Sequence, residues 1–503
     1  MARYTREEMV ESVPQTGFFG HPKGLGNLFF IEFWERFSYY GMRAILLYFM
    51  YTAVASGGLG LEKGMAQSIM SLYGALIYMT GIMGGWVADR LIGSRSALFY
   101  GAILIMFGHI VLAIPSGGIP LFLVSMLLII VGTGLMKPNI SNVVGGLYRK
   151  DDERMDNGFT IFYMSVNMGA LVAPLVVGQL QTKYGFHMGF GAAAVGMALA
   201  LLGYMLYSKK SLGLVGKDVP NPLSPEEKKR VIKIVSIWVV ILAALAGVAY
   251  MTNQLTFDNF SYLITFLGIV IPVYYFTMMY RSHKTTTEEK SRLLAYIPLF
   301  LSAVMFWSIQ EQGSSILGAF ADTNTQRNLE GILGINYTIP AAFFQSINPL
   351  FIVLLAPVLS MIWAKMGKRQ PSTPVKFSLG LLFAGLSFLL MVIPTMGMKS
   401  DTLINPMWLV ASFILCVLGE LCLSPVGSSV SVKLAPQAFE SQMLSMWFLA
   451  SATAQGVNAQ LVRLYNLWSE SKYFGFLGAL AIVLAVVVLL LSPWMKRKMR
   501  GIR

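Results

Sequence analysis

Long apolar segments alternate with short polar segments along the entire chain. A transmembrane helix needs about 20 consecutive, mostly apolar residues, and the pattern predicts fourteen such spans. The predicted spans are residues 27–53, 64–88, 96–115, 119–145, 157–178, 187–208, 229–250, 255–280, 293–318, 338–363, 375–396, 405–430, 438–461 and 474–495.

Composition agrees with a membrane location. The chain has 503 residues, of which 55% are hydrophobic and 12% charged, and its mean hydropathy is +0.63. Because a soluble domain carries about 25% charged residues, we predict an all-α polytopic membrane protein. Cys416 and Cys422 fall in one apolar segment, which indicates no disulfide framework, and the polar first 20 residues indicate no cleavable signal peptide.

The distribution of basic residues predicts the orientation. If both termini are inside the cell, most of the 38 lysines and arginines lie in interior loops and in the C-terminal tail, as the positive-inside rule requires. We therefore predict a multi-pass protein of the cell membrane, typical of a bacterial inner membrane, with both termini cytoplasmic. Basic loops that face anionic lipid headgroups explain the net charge of +14, so no nucleic-acid partner is expected.

A weak internal repeat suggests two related halves. Residues 84–95 and 363–369 each place a small residue, charges and a glycine at a predicted cytoplasmic turn, and duplicated halves with a site between them are typical of transporters. The hairpin between the halves should pack peripherally, and we assign it no chemistry. The predicted organisation is a cytoplasmic N-terminal tail (1–26), an N-terminal six-helix bundle (27–208), a cytoplasmic linker (209–228), an inserted transmembrane hairpin (229–280), a second cytoplasmic linker (281–292), a C-terminal six-helix bundle (293–495) and a basic cytoplasmic tail (496–503).

Four charges interrupt the first span. A charge in the hydrocarbon core costs at least about 2.5–3.5 kcal/mol, so such residues normally face a cavity or a partner. At about 100° per residue, the charges and two tyrosines fall on one face of a helix within about 140°. These residues are Glu32, Glu35, Arg36, Tyr39, Tyr40 and Arg43. Two acids beside one base leave a carboxylate uncompensated, which suits a proton carrier; the alternative is a structural ion-pair cluster.

Three further charges are isolated within other spans, namely Lys137, Glu311 and Glu420. We predict that Lys137 faces a central cavity and pairs with a carboxylate, the alternative being a lysine that reaches the membrane surface from a helix end. Glu311 and Glu420 would face Arg43 and Lys137 across the cavity, which neutralises buried charge. A structural hydrogen bond to a neighbouring helix is the alternative for each glutamate.

Polar and aromatic residues occur at the same depths in the predicted spans. They are Tyr78, Asn167, Trp307, Asn348, Ser424, Trp447 and Ser451. An aromatic residue here can be core packing alone, whereas an asparagine amide within a span must find partners. The sequence has no P-loop, no nucleophile–base motif and no metal-ligand spacing, so we expect neither an enzyme nor a cofactor or metal.

Several of these segments together resemble those of one family. The Glu-x-x-Glu-Arg-Phe-x-Tyr-Tyr-Gly motif at 32–41 resembles the signature of the proton-dependent oligopeptide transporters, a branch of the major facilitator superfamily. Residues 84–95 are similar to the loop motif of the superfamily, and residues 162–169 to the second signature of the family. Residues 311–313 are also similar, and the resemblance covers essentially the whole chain, including the extra hairpin of bacterial members.

The resemblance implies a major facilitator fold with 14 transmembrane helices and a proton-coupled symporter that imports di- and tripeptides by alternating access. It assigns proton coupling to Glu32, Glu35, Arg36 and Glu311, and Glu311 would exchange partners with Arg43 during gating. It assigns the peptide carboxylate to Arg43 and Lys137, and the peptide amino group to Asn167, Asn348 and Glu420. The remaining substrate-binding or cavity-lining positions are Tyr40, Tyr78, Trp307, Ser424, Trp447 and Ser451.

The expected partners are therefore a di- or tripeptide, protons and the lipid bilayer, with the protein acting as a monomer. One alternative is a proton-coupled symporter of the same fold for another anionic or drug-like solute. Another is a sensor or receptor that has a transporter fold and does not transport. The two glutamates of the first motif favour peptide with proton coupling, and the intact set of intramembrane charges disfavours a sensor.

Overall fold

The computed structural model describes residues 4–115, 117–149, 152–330, 334–399 and 402–502. Three short elements precede the long helices: α1 (Arg6–Glu11), β1 (Gly17–Phe18) and β2 (His21–Pro22). The two strands pair in antiparallel fashion. Arg6 donates to the carbonyl oxygens of Gly145 (2.6 Å) and Tyr148 (2.9 Å), so the predicted tail is folded against the N-terminal bundle.

The long helices fall into two groups of six spans with a hairpin between them. The first group is α2 (Lys23–Tyr51), α3 (Lys63–Val87), α4 (Ser94–Ala113), α5 (Gly118–Gly146), α6 (Arg154–Tyr184) and α7 (Phe186–Ser211). The hairpin is α8 (Pro225–Met251) and α9 (Phe257–Arg281). The second group is α10 (Thr287–Glu311), α11 (Ile316–Thr323), α12 (Ile347–Met366), α13 (Thr373–Thr395), α14 (Met407–Lys433), α15 (Glu440–Leu467) and α16 (Glu470–Lys498).

Twelve helical segments of the described residues are long and apolar enough to cross a membrane, with α10 and α11 counted as one. The other two long helices, α2 and α15, carry more polar side chains in their middle. The all-α polytopic membrane fold is thus confirmed. Two predicted spans are less regular than expected, because 3₁₀ turns at Gln312–Ser314 and Ala341–Ser346 interrupt the helical path.

Glycines bring helices of each bundle into close contact. A side chain at Gly101 of α4 would place its Cβ 2.7 Å from the carbonyl oxygen of Gly132 of α5, and the reverse holds as well. Gly385 of α13 and Gly478 of α16 form a similar pair, with distances of 2.8 Å. Small residues at helix interfaces are a general means of packing in membranes.

Gly101→Leu is expected to lower the melting temperature of the purified protein by about 1–3 °C, because overpacking a helix interface costs about 1–3 kcal/mol and a chain of 503 residues loses about 1 °C per kcal/mol. Gly247→Leu on α8 is the matched control, since, apart from the helix's own backbone, no atom of the described residues lies within 4 Å of a Cβ at Gly247. Thermal unfolding followed by fluorescence checks the difference, and equal melting temperatures for the two variants would contradict it.

The turn between α3 and α4 is hydrogen-bonded to the linker that follows α7. After a π-helical turn, Gly93 has φ of +79°, which favours glycine. Arg95 is buried and donates to the carbonyl oxygen of Gly213 (2.8 Å), and its backbone N–H donates to that of Gly216 (2.9 Å). Gly367, in the matching turn of the second bundle, also has a positive φ of +49°.

The two helices of the hairpin differ in their packing. α9 is fastened to α15, because Thr265 donates to the carbonyl oxygen of Gly456 (2.7 Å) and Thr453 to that of Gly268 (2.6 Å). In α8, by contrast, no residue is buried. Among the described residues, α8 forms an ion pair at its first turn, where Glu227 Oε1 lies 3.0 Å from Arg90 Nη2 of the α3–α4 turn.

We call the end of the molecule at which α2 begins and α16 ends the inner end, and the opposite end the outer end. At the outer end, Tyr51 of α2 donates to Asp322 of α11 (2.6 Å), and Lys63 of α3 donates to Thr323 (2.9 Å). Tyr48 adds a hydrogen bond to the carbonyl oxygen of Gly318 (3.2 Å). These contacts join the two bundles at the outer end.

Candidate functional site

A cavity of about 600 Å³ lies between the two bundles. Its walls come from α2, α3, α5 and α6 on one side and from α10, α12, α14 and α15 on the other. The cavity brings together all of the predicted site residues except Glu35. Those residues are Glu32, Arg36, Tyr40, Arg43, Tyr78, Lys137, Asn167, Trp307, Glu311, Asn348, Glu420, Ser424, Trp447 and Ser451.

The three charges of the first motif form a compact ion-pair cluster. Arg36 Nε lies 2.8 Å from Glu32 Oε1 and 2.5 Å from Glu35 Oε2, and all three residues are at most 4% exposed. Glu32 and Arg36 line the cavity, but Glu35 does not. Glu35 therefore faces a partner and not the cavity, which is the other arrangement expected for a charge within a span. Its carboxylate is turned toward the guanidinium of Arg36, and its Oε1 accepts no hydrogen bond from the described residues.

Glu311 connects the bundles at the outer end of the cavity. Its Oε2 lies 2.5 Å from Arg43 Nη2, so the expected pairing of these two residues is present. Two further donors approach the carboxylate, Gln455 Nε2 at 2.7 Å and the Tyr78 hydroxyl at 3.4 Å. Arg43 Nη2 also donates to Ser314 (2.8 Å). Sequence reasoning missed Gln455, although an amide within an apolar predicted span was a visible signal.

Lys137 faces the cavity as expected, but the carboxylate partner that we expected is absent. No carboxylate of the described residues lies within 4.0 Å of its ammonium group, which lies over the Tyr78 ring, 4.7 Å from the centroid. The nearby acids are engaged elsewhere, Glu32 by Arg36 and Glu311 by Arg43. A tyrosine face attracts a cation by about 0.5–2 kcal/mol, so the Tyr78 ring stabilises the ammonium group without neutralising it.

Glu420 lies on the opposite wall of the cavity, on α14. Its Oε2 accepts hydrogen bonds from Gln310 Nε2 (2.8 Å) and Asn348 Nδ2 (3.3 Å). Its Oε1 accepts no hydrogen bond from the described residues, so one carboxylate oxygen is available to a ligand. Gln310 was not predicted as a site residue. The Asn167 amide, on α6, donates to the carbonyl oxygen of Tyr163 one turn earlier (3.0 Å).

Aromatic rings form much of the remaining wall. Besides the four predicted aromatic residues, the cavity is lined by Tyr39, which the sequence places on the charged face of the first span, and by rings that sequence reasoning missed, namely Phe159, Phe162, Tyr163, Phe413 and Phe448. Trp307 Nε1 finds no hydrogen-bond acceptor among the described residues, which leaves a donor for a ligand. In the part of the chain that the structure describes, no group of three His, Cys, Asp or Glu residues could hold a metal ion.

Comparison with known proteins identifies relatives along the full length of the chain. An uncharacterized transporter, YclF of Bacillus subtilis strain 168, is 56% identical over 502 residues, which covers 100% of each chain. A di-/tripeptide transporter of Lactococcus lactis subsp. cremoris is 45% identical over 97% of this chain and 98% of the relative.

A crystal structure of a peptide transporter POT in complex with sulfate has the same fold. It superposes with a TM-score of 0.95 at 54% sequence identity, over 99% of this chain and 100% of that one. The family model described as the POT family matches residues 95–489. The chain is therefore a membrane transporter and not an enzyme, and it belongs to the POT family of peptide transporters.

Proposed function

We propose that this protein is a proton-coupled symporter that imports di- and tripeptides into the cell. The observation that carries the proposal is the separation of charge across the cavity. Lys137 on one wall has an ammonium group without a carboxylate partner among the described residues. Glu420 on the other wall has a carboxylate oxygen, Oε1, that accepts no hydrogen bond from them. A zwitterionic peptide has the opposite charge at each of its ends, so it can satisfy both residues at once.

The remaining wall suits variable side chains. Its aromatic residues offer adaptable, mostly apolar surface, and recognition of the two peptide ends with loose pockets between them gives broad specificity. Arg43 would assist Lys137 with the peptide carboxylate, and Asn167 and Asn348 would assist Glu420 with the peptide amino group. The name of the Lactococcus lactis relative, a di-/tripeptide transporter, supports this substrate class.

The ion pairs supply a means of coupling to protons. Glu35 has an oxygen without a hydrogen-bond donor among the described residues, and a poorly compensated buried carboxylate is a favourable proton acceptor. Protonation of Glu311 would remove the negative charge that holds Arg43. The outer end could then open while the bundles rock about the cavity, as in alternating access.

The proposal includes a location in the cell membrane with both termini in the cytoplasm. The inner end carries basic residues such as Lys496, Arg497 and Lys498, which supports a cytoplasmic position for this end under the positive-inside rule. The proposal includes function as a monomer, because the two bundles that form the cavity belong to the same chain.

Uptake of a labelled dipeptide into proteoliposomes tests the proposal. With an inward proton gradient, we expect accumulation of the dipeptide above its external concentration, and an uncoupler should abolish this accumulation. An N-acetylated dipeptide, which cannot offer an ammonium group to Glu420, should compete poorly. Accumulation that is insensitive to the uncoupler would contradict proton coupling, and absence of any dipeptide transport would contradict the substrate class.

A further inference from the structure

We infer that Gln455 is a positioning residue that holds the Glu311 carboxylate ready to lose its proton after Arg43 has moved away. The inference rests on the proposed proton-coupled function. Gln455 Nε2 donates to Glu311 Oε2 at 2.7 Å, and Arg43 Nη2 approaches the same oxygen at 2.5 Å. Glu311 therefore has two donors on one oxygen, one cationic and one neutral.

The two donors belong to different bundles. Arg43 lies on α2 of the first bundle, whereas Gln455 lies on α15 of the second bundle, together with Glu311 on α10. When the outer end opens, Arg43 must separate from Glu311, but Gln455 need not. Gln455 is the donor that can accompany Glu311 through the whole transport cycle.

A buried polar cluster fixes α15 to α10 next to this pair. Ser308 of α10 donates to Asn458 Oδ1 (2.6 Å), and Asn458 Nδ2 donates to the carbonyl oxygen of Ser308 (3.0 Å). Gln312 Nε2 also donates to Asn458 Oδ1 (3.3 Å). Because Asn458 is three residues after Gln455, these bonds set the height and rotation of α15 at the position that faces Glu311.

A glycine on α3 provides the space for the Gln455 amide. A Cβ at Gly74 would overlap Gln455 Nε2, so any larger residue there must displace the amide. Gln455 is 1% exposed, and the room for its amide depends on that one position of the other bundle. This arrangement offers a second way to disturb the hydrogen bond without removing the donor.

The effect on proton transfer follows from the charge state that each donor favours. A hydrogen bond to a carboxylate stabilises its ionised form, so loss of the donor favours the protonated form. The other titratable or charged groups that act on Glu311 are Tyr39, Tyr40 and Arg43 from α2, Tyr78 from α3, Lys137 from α5 and Glu420 from α14. All of these side chains are unchanged in a variant of Gln455.

Gln455→Leu and Gly74→Ala test the inference in proteoliposomes. For both variants we expect the pH of half-maximal proton-driven dipeptide uptake to rise by about one unit. Counterflow of labelled dipeptide, which requires no net proton release, should stay within about threefold of the unsubstituted protein. Gln460→Leu is the matched control, because Gln460 lies on the same helix but donates to Ser261 and Thr265 of α9.

The outcomes separate this inference from the proposed function. An unshifted pH profile in Gln455→Leu, with proton-driven uptake intact in the unsubstituted protein, overturns the role of Gln455 alone. A shift of the same size in Gln460→Leu also overturns it, because the effect would then follow from general damage to α15. If Gln455→Leu does not fold, an unshifted profile in Gly74→Ala overturns the inference. Failure of the unsubstituted protein to accumulate dipeptide contradicts the proposed function instead.

Discussion

Glu35→Gln is expected to abolish proton-driven accumulation of dipeptide while counterflow of dipeptide remains partly intact. Glutamine has nearly the shape of glutamate but cannot take up and release a proton. Glu35 is 1% exposed, and its Oε2 lies 2.5 Å from Arg36 Nε, so the substitution removes a proton acceptor and one negative charge from a buried cluster. The accumulation ratio under an inward proton gradient should fall to about one, the value for equilibration without coupling.

Two further variants make this result interpretable. Glu32→Gln should have the same effect, because Glu32 shares Arg36 with Glu35. Glu288→Gln is the matched control, since Glu288 pairs with Arg292 on α10 and its side chain is 55% exposed. Uptake by Glu35→Gln that still responds to the proton gradient would exclude Glu35 from the coupling pathway.

Lys137→Ala should reduce proton-driven dipeptide uptake by about 100-fold, which corresponds to the loss of a hydrogen bond between charged groups in a partly desolvated site. The physical reason is that the lysine ammonium lies over the Tyr78 ring and has no carboxylate of the described residues within ion-pair distance. Its charge is therefore available to the peptide carboxylate. Initial rates at several dipeptide concentrations would separate a rise in KM from a loss of turnover.

A second lysine over a tyrosine ring supplies the control. Lys290 Nζ lies 5.8 Å from the centroid of Tyr280, outside the cavity, so Lys290→Ala should leave uptake unchanged. Lys137→Arg retains the positive charge and should recover part of the activity. Uptake by Lys137→Ala at the unsubstituted rate would identify Lys137 as a structural residue.

The sequence predicts the fold well because intramembrane charges and apolar segment lengths obey simple rules. A lone charge such as Lys137 or Glu420 stands out in a span, and the cavity is where it can be hydrated or paired. The same reasoning passed over Gln310 and Gln455, because a neutral amide costs less to bury than a charge and is a weaker signal within a span.

The sequence also does not determine which partner each buried charge takes. Periodicity places Glu35 near the charged face of α2, but it does not show that the carboxylate turns back toward Arg36. Counting charges suggests a carboxylate for Lys137, yet Arg36 and Arg43 occupy the nearest candidates. Such competition between cations for a few acids depends on distances between helices that are far apart in the chain.

The exposure of α8 has a practical consequence for handling the protein. The helix has 27 residues, none of them buried, so its length of about 40 Å exceeds the roughly 30 Å hydrocarbon core and it owes its apolar contacts to lipid. A detergent micelle replaces those lipids, and a short-chain detergent covers a shorter stretch of helix. Purification in nanodiscs or long-chain detergents should therefore protect α8 from proteases. Cleavage within α8 would show that the detergent around the protein no longer covers the full length of the helix.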